Sequence, residues 1–117
     1  MKTENKFNEM PKVYIAGPIT NDPDYKIKFD AVSTWLTAMG YKVFNPTSAP
    51  LGLTYREYID LGLEMLMHCD CMCILPYKEN SSSGVELEKH YAKLVNIPII
   101  ELGDNDGSIS SKISKRI

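Results

Sequence analysis

The sequence predicts an α/β fold: a flavodoxin-like three-layer sandwich on a parallel sheet of four or at most five strands, in the order 2-1-3-4. Three observations predict it. Short apolar runs with no polar face recur four times in 117 residues, and strands buried on both faces are those of parallel sheets. Segments with helical spacing separate the runs, giving β-α-β-α-β-α-β and helices on both faces. Right-handed crossovers then leave few topologies. Apolar residues make up 44% and charged residues 24% of the chain, as in an ordinary globular domain. A single domain over 12–117 is expected, after a flexible leader at 1–11.

Lys12-Val13-Tyr14-Ile15-Ala16 reads as the first strand, stopped by Gly17-Pro18. Asn21-Asp22-Pro23-Asp24 carries turn and helix-start chemistry. From Tyr25 to Met39, apolar residues fall at Ile27, Ala31, Leu36 and Met39, with Phe29, Val32 and Trp35 alongside, and Gly40 ends the helix. Tyr41 to Phe44 is a second strand, halted by Asn45-Pro46. Thr54 and Glu57 have the spacing of a capping box, opening a helix whose apolar side carries Tyr58, Leu61, Met65 and Leu66. Cys71 to Leu75 is a third strand, apolar on both faces and ended by Pro76. A serine-rich loop leads to a helix from Gly84 to Leu94, with Val85, Leu87, Tyr91, Leu94 and Val95 partly inward. Ile97 to Leu102 is the fourth strand, and Ile109, Ile113 and Ile117 suggest a short last helix.

Several classes of function are excluded. Thirteen basic against fifteen acidic side chains give a net charge of −2, without the basic excess of a non-specific nucleic-acid binder. No apolar run approaches the ~20 residues of a membrane span. Residues 1–10 are polar, unlike a secretory signal. Cysteines stand at 69, 71 and 73, too tightly spaced to bridge, and read as reduced thiols of a cytoplasmic protein. His68-Cys69-Asp70-Cys71-Met72-Cys73 resembles a metal cluster on paper, but alternate residues entering a buried strand are core, not zinc ligands. No metal and no cofactor is expected.

In such a sheet the site lies beyond the carboxyl ends of the strands, at the switch point between strands 1 and 3. That rule selects Gly17-Pro18-Ile19-Thr20, where a glycine lets backbone approach a ligand; Asn45-Pro46 after strand 2; the end of strand 4; and the loop from Pro76 to Gly84 before the third helix. There Ser82, Ser83 and Gly84, with Ser81, offer hydroxyls and free amides at a helix N-terminus, which favour an anion such as phosphate. Serines also cap helices, so the same residues fit a structural role. Glu88 follows one turn inside the helix and can face the pocket. Glu86 reads as a solvated first-turn carboxylate.

Four segments together resemble a known family. Lys12-Val13-Tyr14-Ile15-Ala16-Gly17-Pro18-Ile19-Thr20, Gly40-Tyr41-Lys42-Val43-Phe44-Asn45-Pro46, Cys69-Asp70 before a strand ending in Leu75-Pro76, and Ser82-x-Gly84-x-x-x-Glu88-x-x-x-Ala92 are similar to the nucleoside 2-deoxyribosyltransferase superfamily. The nearest branch is its small domain-of-unknown-function 4406 members, over about residues 12–101. The resemblance implies chemistry at an N-glycosidic bond. Glu88 takes the place of the nucleophile, Tyr14 that of a tyrosine that orients it, and Ser82 that of a serine that holds a 5′-phosphate. Gly17, Pro18 and Ile19 would line the sugar and base pocket. Gly62 falls where related enzymes place an aspartate against the nucleoside; Asp60, two residues away, is the candidate for that role if the helix register slips.

The expected function is therefore cleavage of the base–sugar bond of a (deoxy)nucleoside 5′-monophosphate through a covalent glycosyl-Glu88 intermediate. A non-catalytic nucleotide-binding module and a deoxyribosyltransferase are the alternatives. The expected partners are a small nucleotide or nucleoside and a second copy of the chain, in a homodimer or higher homo-oligomer.

Overall fold

A computed structural model describes residues 10–103. The elements are β1 (Lys12–Ala16), α1 (Tyr25–Ala38), β2 (Lys42–Phe44), a 3-10 turn (Pro46–Ser48), α2 (Tyr55–Met67), β3 (Cys71–Ile74), α3 (Ser83–Leu94) and β4 (Ile99–Glu101). All strand pairs are parallel and the order is β2-β1-β3-β4, as expected, with four strands among the described residues. The short last helix expected near the C-terminus lies outside the described residues, as does most of the leader. At the leader's end, the Pro11 carbonyl accepts from the Lys42 amide at 3.1 Å, beside the start of β1.

The order explains the layers. The step from β1 to β2 runs one way across the sheet, and the steps to β3 and β4 run the other way. Right-handed crossovers therefore put α1 on one face and α2 and α3 on the opposite one. Strand alternation divides the core accordingly. Val13, Ile15, Cys71, Cys73 and Ile100 pack with Phe29 and Leu36 of α1. Tyr14, Ala16, Met72 and Ile74 pack with Leu66 of α2 and Val85 and Ala92 of α3. Every residue of β3 is buried, and each large aliphatic side chain so buried contributes roughly 1.5–3 kcal/mol.

The capping box is present as expected: Thr54 Oγ1 accepts from the Glu57 amide at 3.1 Å, and Glu57 Oε1 accepts from the Thr54 amide at 2.8 Å. Gly40 ends α1 with φ +96°, a conformation that favours glycine. The inward stripe of α1 differs from expectation. It is Tyr25, Phe29, Val32, Leu36 and Met39 that pack on the core, while Ile27 is 70% exposed. The helix holds two overlapping apolar stripes, and the one carrying the bulky Phe29 and Trp35 faces the sheet. On α3 the inward positions are Val85, Glu88, Lys89 and Ala92, while Leu87 and Leu94 face outward.

Candidate active site

A cleft of about 610 Å³ opens at the carboxyl end of β1, bounded by the 3-10 turn, α2 and the start of α3. This is the switch point between β1 and β3. Tyr14 enters it because position 14 points to the α2–α3 side, whereas its neighbours Val13 and Ile15 point to α1. Glu88 enters from α3, three residues past Val85 on the same inward face. Tyr14 Oη donates to Glu88 Oε2 at 2.7 Å, and both side chains are buried. Among the described residues Glu88 Oε1 has no hydrogen-bond partner, and no buried side-chain polar atom lacks one. Oε1 is therefore the oxygen open to the cleft.

The electrostatics are one-sided. Burial raises the Glu88 carboxyl to about 7, and the hydrogen bond from Tyr14 partly opposes that rise. Burial, and then the charge and hydrogen bond of Glu88, push the Tyr14 hydroxyl well above its ordinary value, so it stays a donor. No lysine, arginine or histidine is among the described lining residues, and Glu88 is the one carboxylate. A buried carboxylate held by a single donor, with no cation beside it, is a costly arrangement of the kind found at functional sites.

At the far end of the cleft the serine loop meets α3. Ser82 caps the helix, its Oγ accepting from the Val85 amide at 3.3 Å. That bond uses the oxygen and leaves the hydroxyl hydrogen free to donate. Ser83 Oγ pairs with Tyr55 Oη at 2.8 Å, linking the loop to α2. Gly84 faces α2, where a Cβ would stand 3.4 Å from Ile59 Cδ1, in ordinary contact. The expected residues Gly17, Pro18, Ile19, Ser82, Ser83 and Gly84 all line the cleft with Tyr14 and Glu88. Gly17 has a second reason to be glycine: a Cβ would stand 3.0 Å from Leu75 Cδ1, so the Leu75 side chain at the end of β3 would have to shift.

Two expected residues fall elsewhere. Asp60 is exposed and outside the cleft lining. Two helical steps turn it about 200° from Gly62, which does line the cleft. Asn45 is also outside the lining. Its Oδ1 accepts from the Thr47 amide at 2.9 Å and from Thr47 Oγ1 at 2.7 Å, so it shapes the 3-10 turn. Glu86 is more than a solvated carboxylate: its Oε2 accepts from Tyr77 Oη at 2.6 Å and from the Asn80 amide at 3.0 Å. The aromatic wall of Tyr25, Tyr55 and Tyr58 was not anticipated. The available signal was a pair of tyrosines three apart at the start of α2, on the sheet's carboxyl side.

The cysteines belong to the core. All three are buried and none is in a disulfide, and burial raises Cys69 and Cys71 to about 12, so neither is a thiolate. Among the described residues, no group of three or more His, Cys, Asp or Glu side chains could hold a metal, and no helix is long and apolar enough to cross a membrane.

The sequence pattern of a domain of unknown function, DUF4406, matches residues 11–101. No curated protein matches the chain. Among solved structures, the 2-deoxyribosyltransferase of Bacillus psychrosaccharolyticus is similar at a TM-score of 0.63 and 17% identity, over 86% of this chain and 80% of that one. A conserved protein of Enterococcus faecalis V583 has a TM-score of 0.62 and 19% identity, over 88% of this chain and 71% of that one. The CMP N-glycosidase of Clostridium botulinum has a TM-score of 0.61 and 18% identity, over 89% of this chain and 81% of that one. At these identities the likeness is one of fold.

Proposed function

The chain belongs to the DUF4406 family, and on that premise we propose that it cleaves the N-glycosidic bond of a nucleoside 5′-monophosphate. One observation carries the reading: a buried carboxylate on the cleft floor, with one oxygen held by Tyr14 and the other open to the cleft. Two neighbours in fold support the reading by their names, a 2-deoxyribosyltransferase described for the synthesis of nucleosides and a CMP N-glycosidase. In the proposed reaction Glu88 Oε1 attacks C1′, the C1′–N bond breaks, and its electron pair leaves with the base, which takes a proton from solvent. Water then adds at C1′, gives up a proton to solvent and releases the carboxylate, leaving a sugar 5-phosphate. Tyr14 orients the carboxylate and favours its ionised form. The Ser82 hydroxyl and the free amides at the start of α3 receive the phosphate.

Hydrolysis is preferred to base exchange because no described lining residue beside Glu88 is acidic and able to orient a second base. The same fact favours a second reading, a nucleotide-binding module without turnover, since no second acid assists the leaving base. One experiment separates them: a panel of nucleoside monophosphates with excess labelled free base. Release of free base with sugar phosphate supports hydrolysis, label entering nucleotide supports transfer, and binding without either product supports the module. The three reduced thiols fit a cytoplasmic setting. We also propose a homo-oligomer. Leu51, Tyr55, Tyr58 and Leu61 stand exposed at the cleft rim, and burying them against a second copy would close the mouth. Light scattering at micromolar concentration should show more than the monomer mass.

A further inference from the structure

Gly62 sits in the middle of α2, where a glycine weakens a helix relative to alanine. It is nonetheless buried, and it lines the cleft beside the Tyr14–Glu88 pair. A Cβ at position 62 would stand 2.6 Å from Glu88 Oε2 and 2.8 Å from Tyr14 Oη. Both distances are far inside van der Waals contact, and they involve the acceptor and the donor of the same hydrogen bond. The bond is thus made on the bare backbone of α2. Tyr14 is 1% exposed on a central strand and has no room to withdraw. Glu88 ends in a flexible side chain with open cleft before it. Any displacement would fall on the carboxylate.

We propose that Gly62 is a positioning residue: its missing side chain is the seat for the Glu88 carboxylate, and any side chain there drives the carboxylate off Tyr14 and out into the cleft. The inference rests on the reading of Glu88 as nucleophile for its functional meaning, but its geometry does not. It also changes the sense of the Gly62–aspartate difference noted in the sequence. An aspartate at 62 would not complete this site; it would collide with the pair already in it and set a second negative charge against the first. Tyr14 from β1 is the titratable side chain bonded to Glu88; Tyr55 and Tyr58 of α2 line the same cleft with their hydroxyls on Ser83 Oγ and the Pro50 carbonyl, and Asp60 and Glu64 of α2 are exposed.

The test is a stability cycle with a titration. Gly62→Ala should lower the melting temperature of the wild-type chain. In a Tyr14→Phe/Glu88→Ala background, which removes both crowded oxygens, the same substitution should raise it, because alanine is then only the better helix former. Equal losses in both backgrounds would assign the glycine to helix packing and overturn the proposal. Carbon-13 NMR of the Glu88 carboxyl should show a midpoint near 7 in wild type and about one unit or more lower in Gly62→Ala, as water reaches the displaced group. An unchanged midpoint also overturns it. Neither readout needs turnover, so absence of base release would reject the glycosidase reading and leave this result standing. If base release is found, Gly62→Ala should reduce it about 100-fold, with its pH midpoint shifted in the same direction.

Discussion

Glu86 and Glu88 stand two residues apart on α3 and live in opposite conditions. Glu86 accepts from Tyr77 and from the Asn80 amide, and these hydrogen bonds, with Lys89 and Lys93 nearby, hold its carboxyl below the ordinary range. Around it Lys89 donates to Tyr77 Oη at 3.3 Å and pairs with Glu101 at 3.3 Å, so one polar network ties the loop after β3 to α3 and β4. Glu88 has one donor and no cation beside it and is 8% exposed, and burial raises its carboxyl to about 7. Glu86 also stands in the first turn of α3, where the helix dipole favours a carboxylate, and Glu88 lies beyond that turn. Burial without partners is what raises Glu88. Where a carboxylate serves structure, this fold surrounds it with donors. Where it is left short of them, the unmet demand faces a cleft.

The largest expected contrast is kinetic. Glu88→Gln keeps the shape and removes the nucleophile, so base release should fall by about 1,000-fold or more. Glu86→Gln should stay within about tenfold of wild type, since it loosens a loop without touching the floor. Comparable losses in the two variants would collapse the distinction. Next is Tyr14→Phe. Loss of the donor that favours the ionised carboxylate should move the activity midpoint above its value near 7, with a loss of about 10–100-fold at pH 7 that shrinks as pH rises. A uniform loss at all pH values would mean that Tyr14 does not act through Glu88.

The third contrast concerns stability. The Glu88 carboxyl is raised in the folded state, so the native chain holds a proton there that the unfolded chain has released. Stability from this group is present at acid pH and is lost as pH rises from about 4.5 towards 7. Glu88→Gln should therefore stabilise the chain at pH 8, by an amount on the order of 3 kcal/mol at most, and change little at pH 5. Glu86, whose carboxyl is lowered, should show the reverse sign, with Glu86→Gln melting earlier at pH 8. Melting curves at the two pH values read both. The smallest effect is Ser82→Ala. Loss of the cap should cost about 1 kcal/mol and weaken binding of nucleotides more than of nucleosides. Equal weakening in titration calorimetry would speak against a phosphate at that loop.

The sheet was legible because its strands are apolar on both faces and its connections are helical, which left few orders open. The cap at Thr54 was legible because both of its partners are local. Face choice on α1 was not, since two apolar stripes overlap and only tertiary packing selects the one with Phe29. The inward face of α3 was hidden for a different reason: two of its four buried residues are charged, so apolar periodicity pointed to Leu87 and Leu94 instead. Glu88 was legible as a carboxylate one turn into a helix at the sheet's carboxyl edge, but its pairing with Tyr14 was reached through family resemblance, because residues 74 apart in sequence carry no local sign of a shared hydrogen bond. Asp60 was misplaced by treating a carboxylate near the right position as equivalent to one on the right face. Asn45 lay at the correct sheet edge, but its side chain is occupied by its own turn.

The sulfur atoms along β3 give the molecule a built-in reporter of its own breathing. Cys71 and Cys73 lie in a central strand between β1 and β4, under the α1 layer, so an alkylating reagent reaches them only when the sheet itself opens. Cys69 stands just before that strand, its Sγ donating to the Met65 carbonyl at 3.3 Å, and fraying at the end of α2 is enough to release it. With burial holding the Cys69 and Cys71 thiols protonated, labelling rates follow opening and not intrinsic thiol reactivity. Mass spectrometry of the three sites would then time local loosening at the end of α2 separately from global unfolding, without any engineered label site.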